Sequence, residues 1–437
     1  MTAAKRWWND EGVKLGILCG GGPAPGMNSV ISAATIAARK SGWDVVGIAD
    51  GFQHLIGGRI EEARPLSITD VSRIHVQGGS IIRTSRANPT VRDEGAADPD
   101  WRLHACLESL QKLEIGALVT IGGDDTAFSA SRLAAAAGGT LRVAHVPKTI
   151  DNDLPLPGGA PTFGFETARS VGAGLVNNLM TDAITTGRWY LVVAMGRSAG
   201  HLALGIGKSA GATLTLIAEE FPPGEPVRLS RLVDVLETSM LKRIAHGRPF
   251  GVAVLAEGIG LRLPEDELSQ AMPEVERDEH GHIRLAELEL DRLLAKQVKD
   301  RFKQRGQNVT VEGKNIGYEL RCAPPIPFDI EYTRDLGYSA VDYLKQVLAG
   351  DEPGGMITIQ DGHMVPLPFG SFNDAETGRV RIRLVNVESS SYRVAREYMI
   401  RLDRQDLEDP EKLRPIAEAS KLTPEAFRAR YGYLTEG

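Results

Sequence analysis

Apolar residues fall in short runs separated by amphipathic stretches, and most runs end in glycine or charge. Residues 13–19 form such a run, closed by Gly20-Gly21-Gly22-Pro23-Ala24-Pro25-Gly26, and residues 27–40 then read as a helix. Residues 43–49 read as a strand, 51–58 as a loop and 101–113 as a helix. The strand at 117–121 runs into Gly122-Gly123-Asp124-Asp125-Thr126, followed by a helix over 127–137. The strand at 141–146 leads to Pro147-Lys148-Thr149-Ile150-Asp151-Asn152-Asp153. There Pro147 ends strand pairing, and the Pro/Gly-rich residues 154–159 cannot continue a regular element. Later come a helix at 166–180, a strand at 189–195, a strand at 212–217, a helix at 230–246 and a strand at 251–256. An irregular acidic insertion at 264–282 and an amphipathic helix at 285–303 follow. A strand end at Gly317-Tyr318-Glu319-Leu320-Arg321 and a helix at 335–348 come next, and beyond 351 lie hairpin-like and charged helical pieces with no recognisable site. Strands alternating with helices predict an α/β fold with parallel sheets covered on both faces.

Composition narrows this picture. The 437 residues suit two or three domains, and 42% hydrophobic with 24% charged residues is ordinary for a soluble globular protein. A net charge of -7 and the lack of any Lys/Arg-rich run argue against a nucleic-acid surface. Cys19, Cys106 and Cys322 are odd in number and far apart, which predicts a reducing compartment, no disulfide framework and no CxxC metal site. Residues 1–11 show no signal-peptide h-region, and no apolar run approaches the roughly 18 residues that span a bilayer. The expectation is a cytoplasmic enzyme without a membrane segment.

Every candidate site lies at the carboxyl end of a predicted strand. Strand, Gly-rich turn and helix aim backbone N–H groups and a positive helix end at a phosphate. The first loop matches neither Walker A nor G-x-G-x-x-G at its proper place, so a structural turn and a phosphate cradle both stay open. Gly78-Gly79-Ser80 with Arg83 and Arg86 is a second cluster suited to an anion, or a solvated loop. Asp124 and Asp125 can cap their helix; beside a phosphate loop they also suit Mg²⁺, which takes one or two carboxylates plus phosphate oxygens. Together with the Lys-Thr-x-Asp-x-Asp loop these groups suit phosphoryl transfer, in which the protein positions groups and neutralises charge.

Gly20 to Asn28, GGDD at 122–125, PKTIDND at 147–153, MGR at 195–197, AEG at 256–258 and GYELR at 317–321 stand in the order found in 6-phosphofructokinases. The chain resembles that family over residues 13–337, most closely its pyrophosphate-dependent branch. The resemblance implies two Rossmann-like three-layer lobes with parallel sheets and the active site in the cleft between them. Residues 1–160, completed by about 329–395, would form the lobe on the phosphoryl-donor side, 161–328 the sugar-phosphate lobe, and 396–437 a C-terminal extension.

It further implies Asp151 as the base that takes the proton of the sugar 1-hydroxyl, with Lys148, Thr149, Asp153 and Arg197 completing the catalytic set. Gly21, Gly22, Arg86, Gly123, Asp125 and Lys148 would bind the donor, and Asp124 would hold Mg²⁺. Met195, Gly196, Arg197, Glu257, Thr149, Asp151, Arg188, Tyr318 and Arg321 would bind the sugar phosphate, with arginines often supplied by a neighbouring subunit. The implied assembly is a homodimer or homotetramer with a shared active site; the implied substrates are pyrophosphate and fructose 6-phosphate. ATP-using relatives usually carry Gly at the positions of Asp125 and Lys148. A carboxylate at 125 repels a nucleotide's α-phosphate, and an ammonium at 148 supplies charge to a small, highly anionic donor. Pro23 departs from the GGDAPG form of the first loop. The alternatives are an ATP-dependent 6-phosphofructokinase, or the same chemistry on another phosphosugar such as sedoheptulose 7-phosphate. A regulatory subunit has no need of Asp151, Asp153 and Asp124, and a lipid or dinucleotide kinase has no MGR or GYELR element.

Overall fold

A computed structural model describes residues 12–271, 288–371, 376 and 380–435. They fall into two compact units. The first takes the described residues up to Ala168 and those of Tyr318–Arg383; the second takes those of Arg169–Gly317 and Leu384–Gly437. The chain therefore passes between units after 168, 317 and 383, where the sequence reading placed lobe boundaries at 160, 328 and 395.

The first unit holds a seven-stranded sheet. Its strands in chain order are β1 (Lys14–Cys19), β2 (Asp44–Ile48), β3 (Ala63–Pro65), β4 (Ala117–Gly122) and β5 (Arg142–Pro147). In the second unit come β6 (Trp189–Ala194), β7 (Leu214–Leu216), β8 (Gly251–Ala256) and β9 (Val311–Ile316). β10 (Gly354–Gln360) and β11 (His363–Pro368) return to the first sheet, whose order is β11-β10-β5-β4-β1-β2-β3. The five central strands run parallel, and only the edge strands β3 and β11 are antiparallel to their neighbours. β4 and β5 are buried along their whole length, as expected for near-continuous apolar runs covered by helices on both faces. The register pairs Cys19 with Ile121 and Gly122 with Pro147, so β1, β4 and β5 end side by side.

The second unit has a four-stranded parallel sheet in the order β7-β8-β6-β9. Its core gathers Leu191, Leu216, Leu236, Leu255 and Phe302 with Leu402, Leu413, Ile416, Phe427 and Tyr431. The segment expected as a C-terminal extension thus packs into this core. Leu413, Ile416 and Ala417 stand three and four apart on the helix Pro410–Ala419, which gives it a buried stripe.

Several elements differ from the reading of the sequence. The loop expected at 51–58 contains the short helix Gln53–Ile56. Within the expected irregular insertion, Glu265–Ala271 is helical, helped by Glu265, Asp266 and Glu267 in its first turn; positions 272–287 lie outside the described residues. The helix predicted to begin at 285 is described from Leu290 to Gln304. The helix His201–Ala210 carries Gly205 and Gly207, which hid it from the pattern. A Cβ on Gly207 would lie 2.0 Å from the Thr215 hydroxyl, so this glycine lets the helix approach β7. Among the described residues no helix is long and apolar enough to cross a membrane.

Candidate active site

Three loops of the first unit converge because the strands before them are neighbours. The amide of Gly20 donates to the Ile121 carbonyl at 2.8 Å, and that of Lys148 to the Gly122 carbonyl at 2.8 Å. Thr126 locks the first two loops together. A Cβ on either Gly20 or Gly122 would lie 2.4 Å from the Thr126 hydroxyl oxygen, so both positions must stay bare for the loops to close on this side chain. The sequence reading missed Thr126, although its place one residue after the Asp pair is a local signal.

Lys148 is buried, and its ammonium donates to the Gly22 carbonyl, beside Gly21. Arg321 reaches the same loop: a Cβ on Gly22 would lie 3.4 Å from its guanidinium carbon. That guanidinium also stacks over the Tyr318 ring at 5.1 Å, and Tyr318 is 76% exposed. The amide of Gly21 donates to the Ser85 carbonyl at 2.8 Å, which fixes Arg86 next to the first loop. Arg83, expected beside Arg86 in an anion cluster, instead pairs with Asp50 at 2.6 Å and Glu62 at 3.6 Å. Its φ of 56° turns it out of the loop line.

Gly123 precedes the helix Asp124–Ala136, so Asp124 and Asp125 occupy the first turn, where the helix end favours negative charge. Asp124 is half-buried and Asp125 exposed. On the third loop the Thr149 hydroxyl accepts from the Asp151 amide at 3.0 Å, and Asp151 is 8% exposed. Asn152 takes a left-handed φ of 57°, which Asn tolerates better than most residues. Thr162, which the sequence reading did not single out, closes the loop: its amide donates to Asn152 Oδ1 at 3.0 Å and its hydroxyl to the Thr149 carbonyl at 2.7 Å. His145 is fully buried behind this loop, with Nδ1 2.9 Å from the Thr120 hydroxyl. Burial holds its pKa down at about 3, with the Lys148 charge adding to the effect, so it stays neutral where enzymes work. Burial likewise pushes the Cys19 thiol at the end of β1 up to about 12, against the pull of the Ser80 hydroxyl and Lys148.

In the second unit the ends of β6, β8 and β9 meet. Glu257 Oε2 accepts from the amides of Gly196 at 3.1 Å and Arg197 at 3.3 Å. Arg197 has a left-handed φ of 47°, and Met195 packs over Gly317. Arg188 is elsewhere: it precedes β6, with Nε donating to the Thr186 hydroxyl at 2.8 Å and 3.7 Å from Asp182. A six-residue strand separates it from Met195, roughly 20 Å at strand spacing. The expectation that every candidate lies at the carboxyl end of a strand is therefore corrected at Arg188.

A phosphofructokinase family model matches residues 14–344. The chain belongs to the phosphofructokinase family. Among relatives of this family member, a pyrophosphate–fructose 6-phosphate 1-phosphotransferase of Thermotoga maritima is 53% identical over 425 residues, covering 97% of this chain and 99% of that protein. A protein of the same name from Naegleria fowleri is 51% identical over 429 residues, covering 97% and 96%. Among solved structures, the pyrophosphate-dependent phosphofructokinase of Marinobacter aquaeolei superposes with a TM-score of 0.63 at 17% identity, covering 94% of this chain and 92% of that one. The phosphofructokinase of Saccharomyces cerevisiae gives 0.62 at 22% identity, covering 82% and 45%. At such identities these two likenesses speak for the phosphofructokinase fold.

Proposed function

We propose that this chain moves a phosphoryl group from pyrophosphate to the 1-hydroxyl of fructose 6-phosphate, reversibly, giving fructose 1,6-bisphosphate and phosphate. The observation that carries the reading is the Lys148 ammonium, buried against the Gly21-Gly22 loop, with Asp125 in the first turn of the helix that follows β4. Two relatives above 50% identity over nearly their full length bear the name of that activity.

The donor-side groups are all in the first unit. The backbone of Gly21, Gly22 and Gly123 lines the anion loops, Lys148 and Arg86 supply positive charge, and Asp125 disfavours a nucleotide. Asp151 takes the proton as the sugar oxygen attacks phosphorus and the bond to the leaving phosphate breaks, with Thr149 and Asp153 holding its loop. Met195, Gly196, Arg197 and Glu257 bind the sugar in the second unit, and Arg321 with Tyr318 contributes to its phosphate. Among the described residues no three His, Cys, Asp or Glu side chains gather into a closed metal site. Asp124, half-buried in the first turn of its helix, would hold Mg²⁺, which takes few protein carboxylates beside phosphate oxygens. Bound there, the ion would neutralise phosphate charge.

The test is initial rate with fructose 6-phosphate and Mg²⁺, offering pyrophosphate or ATP, for the native chain and for Asp125→Gly with Lys148→Gly. We expect turnover with pyrophosphate, and a double variant that loses this preference by about tenfold or more, the size of one lost charge-assisted contact. An unchanged donor ratio in the double variant would remove these two residues from donor choice.

We also propose that Arg188 serves the sugar phosphate bound to a second copy of the chain. The proposal rests on its place at the amino end of β6, away from Met195–Arg197. Mixing Arg188→Ala with Asp151→Ser, each inactive alone, should restore activity in hybrids that carry one intact site. Mixtures that exchange subunits yet stay inactive would count against sharing.

A further inference from the structure

The tail beyond residue 351 carries no motif, yet one of its side chains grips the loop that bears Asp151. Arg383 is half-buried, while its neighbours Ile382 and Leu384 are 54% and 51% exposed, so of these three side chains it is Arg383 that turns inward. Its backbone amide donates to the Asp153 carbonyl at 2.6 Å. Its guanidinium then spans the loop. Nε donates to the Asn152 carbonyl at 3.0 Å, Nη1 to the Ala160 carbonyl at 2.9 Å, and Nη2 to Asn152 Oδ1. Asn152 Oδ1 also accepts from Thr162, so one planar fork holds both arms of the 149–162 loop and the left-handed residue at its apex. Burial lowers the pKa of Arg383 somewhat, while the Asp153 and Tyr332 charges act the other way; the group stays cationic.

Asp151 and Asp153 flank Asn152. Fixing the Asn152 and Asp153 peptides therefore fixes where both carboxylates point. We infer that Arg383 is a positioning residue for the Asp151 loop, setting the orientation of the base from more than two hundred residues away in sequence. This rests on the assignment of Asp151 proposed above. A lysine cannot substitute in full, because a single ammonium cannot reach three acceptors laid out to match a fork.

The test compares Arg383→Ala and Arg383→Lys with the native chain in the pyrophosphate reaction. We expect kcat to fall about 30-fold or more in Arg383→Ala, with KM for fructose 6-phosphate changed less than about threefold. Guanidinium at low millimolar concentration should restore part of the lost kcat in Arg383→Ala, in a saturable way, and ammonium should not. Arg383→Lys, which keeps length and charge, should fold like the native chain and still lose kcat. Amide exchange of residues 151–162 gives a readout that needs no turnover, and Arg383→Ala should exchange there at least tenfold faster. Native exchange rates in Arg383→Ala, or a kcat within threefold of native, would overturn the inference. An inert native chain together with accelerated loop exchange in the variant would instead refute the proposed reaction and leave the positioning role standing.

Discussion

Asp151→Ser is expected to lower turnover by about two to four orders of magnitude while leaving fructose 6-phosphate binding near its native strength. The size follows from the role. A positioned base removes the sugar proton as the oxygen attacks, and serine can neither take that proton nor carry the charge. The split between turnover and binding follows from the geometry. Asp151 meets the loop through its amide, held by the Thr149 hydroxyl at 3.0 Å, and this bond survives the substitution. Thr162 continues to close the loop through Asn152 and Thr149. Steady-state rates with calorimetric binding of the sugar phosphate decide the matter. Turnover within tenfold of native would take Asp151 out of the base role.

Glu237→Ala is expected to cost about 3–5 kcal/mol of stability, the range for removing one partner of a buried ion pair. Glu237 is fully buried on the helix Leu229–Ala245. Its carboxylate accepts from Arg305 and from Arg301 at 3.3 Å, and from the Tyr431 hydroxyl at 2.9 Å, with Arg430 at 3.8 Å. Asp234, one turn earlier, shares Arg301 at 2.8 Å and accepts from the Tyr433 hydroxyl at 2.6 Å. Without Glu237, Arg301 keeps Asp234 as a neighbouring carboxylate, whereas Arg305 and the Tyr431 hydroxyl lose this buried acceptor and the tail loses its anchor. Burial and the Glu237 charge also push the Tyr431 hydroxyl upward, so this phenol remains a donor across the working pH range. Urea unfolding followed by far-UV circular dichroism measures the loss. A change below about 1 kcal/mol would show that the surrounding helices, rather than this carboxylate, hold the tail.

What could be read from the chain in advance was local. An apolar run closed by Gly-Gly-Gly, by Gly-Gly-Asp-Asp or by Pro-Lys-Thr is a short local signal, and such signals placed the ends of β1, β4 and β5 and the residues on them. The ends of β6 and β8 were legible for the same reason, since Met195-Gly196-Arg197 and Glu257-Gly258 follow their strands directly. Partnerships set by the fold were not. Nothing near Gly20 announces that Thr126 will fill the space above it. Arg383 sits in a stretch without motif and finds Asn152 only after the chain has returned to the first unit. Arg188 was named through the family resemblance, although its place before the apolar run already puts it at the amino end of β6. The apolar stripe of 413–417 was read only as a charged helical piece, because the core it joins is assembled from residues 189 to 311.

The return of the chain to its first sheet has a consequence for how the protein is made. β10 pairs with β5, and β5 is complete about two hundred residues before β10 leaves the ribosome. At roughly 5–20 residues per second that interval is about 10–40 s, during which the outer edge of β5 has no partner strand. The second unit waits longer, because Phe427 and Tyr431 of its core are made after the first unit is complete at Arg383. The first unit can therefore close before the second, and a nascent chain of this enzyme must be kept from aggregating until residue 431 has emerged.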